Sequence, residues 1–248
     1  MKKTIKKLIP NFLLRAFRKI RFTLNAVIRY PKYLQIEDTK ISVRARNWPM
    51  WVITQSPGKI KNGKFYYEQD EMEIVRGMMA GKHVFYDIGA SMGYYSYVAM
   101  AQGVWHAVAF EPVKKYADII KEATKRQDLN IWVVNNPVGK RNQDVISDNG
   151  TAYAEKEATT IDWFGLYTGQ YPDIIKIDVE GYEADVIEGG AEIIKNFKPD
   201  IILSLHREYL EAMGRDSEKL LSDLKELGYE NYKPPFGGTY FLRHKNSA

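Results

Sequence analysis

The 248-residue chain predicts an α/β fold: a mostly parallel, twisted sheet with helices on both faces and a C-terminal antiparallel hairpin. Three observations carry that prediction. Short apolar runs near residues 84 to 88, 105 to 110, 130 to 134, 173 to 178 and 200 to 205 have the length and composition of buried strands. Helix-compatible stretches near 93 to 102, 113 to 126, 182 to 195 and 216 to 227 separate them, and this alternation implies parallel strands covered on both sides. The chain end breaks the rhythm. Residues 229 to 232 and 239 to 243 read as strands flanking Pro234-Pro235 and a glycine-containing turn, a hairpin closing the far edge of the sheet.

The N-terminal segment has a different character. Residues 1 to 36 hold ten Lys or Arg and no acid, leaving 26 basic against 31 acidic residues elsewhere, so the net charge of +5 belongs to this segment alone. Ile5, Leu8, Ile9, Phe12, Leu13, Ala16 and Ile20 recur at helical spacing, and Lys2, Lys3, Lys6, Lys7, Arg15, Arg18 and Lys19 fall largely on the rest of the wheel. Pro10 divides the pattern into two helical pieces. A basic amphipathic helix of this kind suits an anionic membrane surface, which makes peripheral contact through residues 1 to 30 one expectation. A helix packed on the domain with a solvated basic face is the other. Basic residues interrupt every apolar stretch there, so no signal peptide is read.

Residues 37 to 80 read as an accessory β/α lead-in. Residues 40 to 46 alternate with Ile41, Val43 and Ala45 on one side, Asn62-Gly63 suits a hairpin into Phe65-Tyr66-Tyr67, and residues 71 to 79 suit a helix. The remainder, 81 to 248, is long enough for one catalytic domain. A second hairpin is expected around Asp148-Asn149-Gly150. Residues 83 to 110 are apolar, but Asp87, His106 and glycines interrupt them, so no membrane span is read. The chain has no cysteine, which excludes disulfides, thiolate metal sites and a cysteine nucleophile, and makes cytoplasm the default location.

The chemistry begins where the first core strand, Val84-Phe85-Tyr86-Asp87-Ile88, runs into Gly89-Ala90-Ser91-Met92-Gly93 and then a helix. Gly89 and Gly93 leave no Cβ where the backbone turns and a ligand approaches. Asp87 is expected to face the crevice beyond the strand end. The second strand ends at Phe110-Glu111-Pro112, placing an acid that can accept both hydroxyls of a ribose beside the same crevice. Ser91 stands where the second glycine of a pyrophosphate-binding G-x-G-x-x-G loop would fall, and no Walker loop occurs. S-adenosylmethionine has no phosphate. Its positive ammonium and sulfonium suit a nearby carboxylate such as Asp87, so this cofactor is favoured over NAD.

A third constellation lies in Ile175-Lys176-Ile177-Asp178-Val179-Glu180-Gly181-Tyr182-Glu183. Lys176 and Asp178 are two apart on a strand and project to one face, with Glu180 next along. They form either a structural ion pair or part of a site. Ala184, Val186, Ile187, Ala191 and Ile194 are expected to point inward from the following helix, leaving Glu183 and Glu188 as surface charges. His206, just past another strand end, can act as a general base near neutral pH.

Asp87-Ile88-Gly89-Ala90-Ser91-Met92-Gly93, Phe110-Glu111-Pro112, Thr159-Thr160-Ile161-Asp162 and the segment from Ile175 through Glu183 together resemble the FkbM family of S-adenosylmethionine-dependent methyltransferases, over residues 85 to 209. The resemblance implies a class I methyltransferase (Rossmann-like) fold. It places the cofactor on Asp87, Gly89, Ala90, Ser91, Gly93, Glu111 and Pro112, and the transferred methyl near Lys176, Asp178 and Glu180. Family members mostly O-methylate hydroxyls, often of sugars in glycans or secondary metabolites. Ser91 departs from the usual Asn, and Ser204 falls where an acid is frequent before His206.

A carbohydrate or small-molecule hydroxyl is therefore the expected acceptor, with His206 or Asp178 as base and Lys176 orienting Asp178 and Glu180. A divalent cation on Asp178 and Glu180 is a weaker expectation, and no metal ligand is assigned. Nucleic acid is not an expected partner, because the fourth strand ends in Asp178-Val179-Glu180-Gly181 rather than the Asn/Asp-Pro-Pro-aromatic loop of amino-methylating enzymes. Two rivals stay open: a nucleic-acid methyltransferase, which the basic segment suggests, and a non-catalytic membrane-surface protein on the same fold. Acceptor contacts are expected from residues 37 to 70, 142 to 168 and 206 to 240, whose Trp48, Trp51, Tyr66, Tyr67, Tyr153, Trp163 and Tyr167 suit sugar stacking and core packing alike.

Overall fold

The computed structural model describes residues 33–36, 38–44, 60–61, 64–66, 69–146 and 156–246. It divides into two compact units, Met1–Tyr67 and Glu68–Ala248. The expected helical pieces within residues 1 to 32, the turns at 62 to 63 and 148 to 150, and Trp48, Trp51, Tyr67 and Tyr153 lie outside the described residues.

The first unit contains a small sheet of β1 (Tyr33–Ile36), β2 (Ser42–Arg44), β3 (Ile60–Lys61) and β4 (Lys64–Phe65), ordered β2-β1-β4-β3. Ile41 and Val43 are buried as their alternation predicts. The β3 and β4 strands pair antiparallel, the arrangement a turn at 62 to 63 requires. Residues 33 to 36 correct the helical reading of the N-terminal segment. Leu34 and Ile36 alternate inward while the backbone pairs antiparallel with β2 and parallel with β4, so period-two burial prevails there.

The second unit opens with α1 (Gln69–Met79) and builds on β5 (Val84–Ile88), α2 (Tyr94–Ala101), β6 (His106–Phe110), α3 (Lys114–Gln127) and β7 (Ile131–Val134). A two-stranded ribbon of β8 (Val145–Ile146) and β9 (Lys156–Glu157) follows, then α4 (Ile161–Thr168) and β10 (Ile174–Ile177). The chain continues through α5 (Glu183–Glu188), α6 (Ala191–Phe197), β11 (Asp200–Ser204), α7 (Arg207–Ala212) and α8 (Ser217–Glu226), and ends in β12 (Tyr229–Phe236) and β13 (Thr239–His244).

Seven strands form one sheet in the order β12-β13-β11-β10-β5-β6-β7. From β11 to β7 all pairings are parallel, and β13 runs antiparallel to both β11 and β12. Successive residues of β5, β6, β10 and β11 are buried, not alternate ones, because both faces of the central sheet are covered. Tyr86, Phe110 and Phe164 pack edge to face on one side, with ring centroids 5.0 to 5.7 Å apart. Burying each such ring stabilises the fold by about 1.5–3 kcal/mol.

The helix expected over 182 to 195 is two helices. Gly189-Gly190 interrupts it, and a Cβ at Gly189 would stand 2.0 Å from the Gly139 carbonyl oxygen, so backbone packing there replaces a helical turn. Ala191, expected inward, is exposed as a result of the break. From β5 the chain adds β6 and β7 on one side and later β10 and β11 on the other. The carboxyl ends of β5 and β10 therefore flank the point where strand order reverses, the place where open α/β sheets hold ligands.

Candidate active site

The glycine turn is anchored to both neighbouring strands. The amides of Gly89 and Ala90 donate to the Phe110 carbonyl, each at 3.0 Å, and the Asp178 amide donates to the Ile88 carbonyl at 3.0 Å. Gly89 has φ +79°, and a Cβ on it would lie 1.8 Å from the Asp178 carbonyl oxygen. Only glycine allows the β5 and β10 ends to meet this closely. Gly93, at φ +84°, begins α2, and a Cβ there would meet Ile120 at 2.9 Å.

Glu111 lies just beyond β6, 4% exposed. One carboxylate oxygen accepts the Ser91 amide and the other the Val113 amide, both at 2.7 Å. Burial pushes its carboxyl up to about 7, against the lowering effect of those two amides and of Lys176. The Asn135 side chain donates to the carbonyls of Glu111 and Pro112, at 2.7 and 3.1 Å, and Lys156 Nζ in turn donates to Asn135 Oδ1 at 2.9 Å. The Glu111 corner is thus held from the β7 side.

Asp87 requires a correction. It is fully buried and does not face an open crevice. The reason is its partner: Oδ2 accepts the Ser96 hydroxyl at 2.6 Å and the Ser96 amide at 3.0 Å, pulling the carboxylate beneath the first turn of α2. Burial raises its pKa, opposed by Lys176 and Ser96. Asp87 Oδ1 accepts no hydrogen bond and stands 3.7 Å from Lys176 Nζ.

Lys176, 3% exposed, links the two halves of the site. Its Nζ donates to the Gly89 carbonyl at 3.1 Å, pairs with Asp178 at 3.2 Å and lies 4.8 Å from the centre of the Tyr95 ring. The expected same-face placement of Lys176 and Asp178 therefore holds. So does the position of His206, which follows β11 and caps α7. His206 Nε2 stands 3.7 Å from Asp178 Oδ1 and 3.5 Å from Glu180 Oε2.

Glu183 is the second correction. Expected as a surface charge, it is fully buried, with Oε1 bonded to His206 Nδ1 at 2.7 Å and to the Gly181 amide at 3.1 Å. This carboxylate requires the proton on Nδ1 and so turns Nε2 toward Asp178 and Glu180. The Glu183 hydrogen bond raises the His206 pKa, burial opposes it, and Asp178 and Glu180 raise it further. Ser96, Asn135 and Tyr95 were also missed. Their roles depend on partners up to 81 residues away in the chain, as between Tyr95 and Lys176, and no local spacing signals them. Glu183 did have one signal, its place inside the recognised 175 to 183 segment.

The profile of the methyltransferase FkbM domain matches residues 87–230, more than half of the chain. The chain belongs to the FkbM methyltransferase family. Its fold is that of class I methyltransferases, a mostly parallel seven-stranded sheet with a C-terminal antiparallel hairpin. No curated protein sequence matches the chain significantly.

Among solved structures, it is similar to a methyltransferase FkbM from Methylobacillus flagellatus KT (18% identity, TM-score 0.47), covering 64% of this chain and 42% of that one. It is also similar to a precorrin-6y C5,15-methyltransferase from Geobacter metallireducens GS-15 (16% identity, TM-score 0.45, 86% of this chain and 95% of that one). An O-methyltransferase family protein from Burkholderia thailandensis follows at 13% identity and TM-score 0.44, covering 72% of this chain and 57% of that one. The FkbM chain described here thus spans less than half the length of the Methylobacillus protein.

Family membership implies S-adenosylmethionine as cofactor, and the residues fit it. Each Glu111 oxygen accepts one amide and keeps a lone pair for a ribose hydroxyl. Asp87 Oδ1, which accepts no hydrogen bond and faces Lys176 at 3.7 Å, places carboxylate charge beneath the turn, suited to a cationic methionine end. Gly89, Ala90 and Ser91 line the segment between these two carboxylates, and Ser91 takes a left-handed φ of 50° that turns its amide toward Glu111.

Proposed function

We propose that this chain transfers the methyl group of S-adenosylmethionine to a hydroxyl oxygen of a sugar in a glycan or glycolipid, at the inner face of an anionic membrane. The observation that carries the reading is the meeting, at the reversal of strand order, of the Glu111 and glycine-turn corner with the Asp178, Glu180 and His206 cluster through Lys176. Bound there, S-adenosylmethionine supplies an electrophilic methyl whose carbon–sulfur bond breaks as the carbon–oxygen bond forms.

This chain's residues do the rest by position. Glu111 orients the ribose, and the carboxylate of Asp87 acts from beneath the turn through Lys176 and Ser96 rather than by direct contact. Lys176 fixes the Gly89 carbonyl and the Asp178 carboxylate in one arrangement, which aligns donor and acceptor. The acceptor hydroxyl lies against Asp178 and His206, and its proton passes to that cluster as the new bond forms. The methyl ether leaves with S-adenosylhomocysteine as co-product.

A sugar acceptor is favoured by exposed aromatics on one of the segments expected to contact it. Trp163 and Tyr167 of α4 stack at 4.9 Å and leave 45% and 74% of their surface exposed. The basic segment, ten positive and no negative charges over residues 1 to 36, favours the membrane. No helix among the described residues is long and apolar enough to cross one.

The test is transfer of labelled methyl from S-adenosylmethionine to glycan and glycolipid extracts. The proposal expects label that survives alkaline hydrolysis, as a methyl ether does. Label released as methanol would indicate a carboxyl ester, and label confined to amines or nucleic acid would contradict the hydroxyl assignment.

A further inference from the structure

Lys176, Asp178, Glu180 and His206 were each expected near the site from the sequence, but the structure sets His206 against both acids and places Glu183 behind it. We infer that Asp178, Glu180 and His206 form a binding site for a divalent cation of the Mn²⁺ and Mg²⁺ class.

The geometry carries this. One carboxylate oxygen of Asp178, one of Glu180 and Nε2 of His206 all lie within 4.8 Å of one another. The imidazole is nevertheless not hydrogen bonded to either acid: its Nε2 stands 3.7 Å from Asp178 and 3.5 Å from Glu180. Direct charge-assisted bonds would close to about 2.7–2.9 Å. The separations are no wider than the roughly 4.8 Å that two metal–ligand bonds of about 2.4 Å can span, so one ion can reach all three atoms.

The second observation lies outside the triangle. Glu183, fully buried, bonds Nδ1 of His206 at 2.7 Å, which fixes the ring plane toward the two acids and, in the neutral imidazole, makes Nε2 the lone-pair nitrogen. A carboxylate behind a ligating histidine is how metal sites set tautomer and orientation. Charge agrees with it. Asp178, Glu180 and Glu183 converge on one imidazole, and Lys176, which stands 3.2 Å from Asp178, also faces Asp87 at 3.7 Å. A divalent ion offsets this excess. Two carboxylates and the water of an open site suit hard ions such as Mn²⁺ and Mg²⁺, and the imidazole favours Mn²⁺ of the two.

The side chains are 35%, 69% and 27% exposed, so the remaining coordination positions open to solvent and to an acceptor oxygen. That last role rests on the hydroxyl-methylation reading; the ion site itself does not.

The experiment is titration of the full chain with Mn²⁺ alone, followed by the loss of the free-ion electron paramagnetic resonance signal. S-adenosylmethionine calorimetry is run on the same samples. One saturable Mn²⁺ per chain is expected, competed by Mg²⁺. Glu180→Gln, on an exposed side chain that places little demand on folding, and His206→Gln each weaken Mn²⁺ binding by at least tenfold. Glu183→Gln weakens it about 10–100-fold. None of the three weakens S-adenosylmethionine binding by more than about twofold.

Absence of saturable Mn²⁺ binding, or binding unchanged by Glu180→Gln and His206→Gln, overturns the inference. If wild type binds S-adenosylmethionine but not Mn²⁺, the ion site alone is wrong. If it binds Mn²⁺ but not S-adenosylmethionine, the methyltransferase reading alone is wrong.

Discussion

Glu111 and Gly89 show how single side chains decide what the site can do. Because burial pushes the Glu111 carboxyl up to about 7, it exchanges its proton in the neutral range. As pH falls through about 7 the carboxylate becomes an acid and accepts less well from ribose hydroxyls, so affinity for S-adenosylmethionine drops several-fold. Calorimetry across this range checks it, and Glu111→Gln should flatten the dependence. The folded-state pKa lies above the ordinary value of 4.5, so folding binds a proton between the two. The stability Glu111 contributes is therefore present at low pH and lost as pH rises through about 7. At Gly89, alanine would combine a left-handed backbone with a Cβ 1.8 Å from the Asp178 carbonyl oxygen. Gly89→Ala should cost about 2–4 kcal/mol in denaturant unfolding, from the strained backbone and the overpacked contact together. Asp87, Glu111, Lys176, Asp178, Glu180 and His206 were all legible as residues at or near the carboxyl ends of core strands, which is where the structure places them. What could not be read was which groups they face. Asp87 turns inward because of Ser96, across the strand–turn–helix unit, and Glu183 is buried because of His206 on the next strand's end; neither partnership shows in residue spacing.

The central strands and the helices beside them were readable because their apolar runs are continuous and their flanking turns are glycine-marked. The α4 helix was not. Its sequence IDWFGLYT buries Ile161 and Phe164 but exposes Trp163, Leu166 and Tyr167, so apolar residues ring it and no amphipathic period appears. Its start is nonetheless local chemistry: Thr160 Oγ1 accepts the Trp163 amide at 3.1 Å. Thr160→Ala should lower stability by about 1 kcal/mol and Thr160→Ser by little, measured by thermal or denaturant unfolding. Neither should alter cofactor affinity, since α4 contributes no residue to the cofactor corner. The β1 strand was hidden for another reason. It closes the basic segment, 1 to 36, whose earlier residues have the helical spacing, and its pairing with β2 and β4 makes Tyr33–Ile36 extended.

Taken whole, the chain joins a basic segment to a remainder with an acidic excess. If the basic segment holds the enzyme at an anionic surface, the full chain should co-sediment with phosphatidylserine-containing vesicles at low salt and be released at about 0.5 M salt, where the Debye length falls to a few ångströms. Replacing Lys2, Lys3, Lys6 and Lys7 by Gln should weaken that binding at least tenfold while leaving S-adenosylmethionine affinity unchanged. Equal binding to neutral vesicles would remove the electrostatic account. The family and its sheet were readable from four short motifs, because their order and spacing place one crevice. The acceptor was not, because none of the four motifs falls on the residues that would recognise it. The central claim is that the corner formed by the glycine turn and Glu111 holds S-adenosylmethionine. Isothermal titration of the cofactor into the full chain and into Glu111→Ala tests it most directly. The account predicts one site per chain, weakened at least tenfold in the variant while its circular dichroism is unchanged. Undetectable binding to the wild type, or equal affinity in the two proteins, would contradict it.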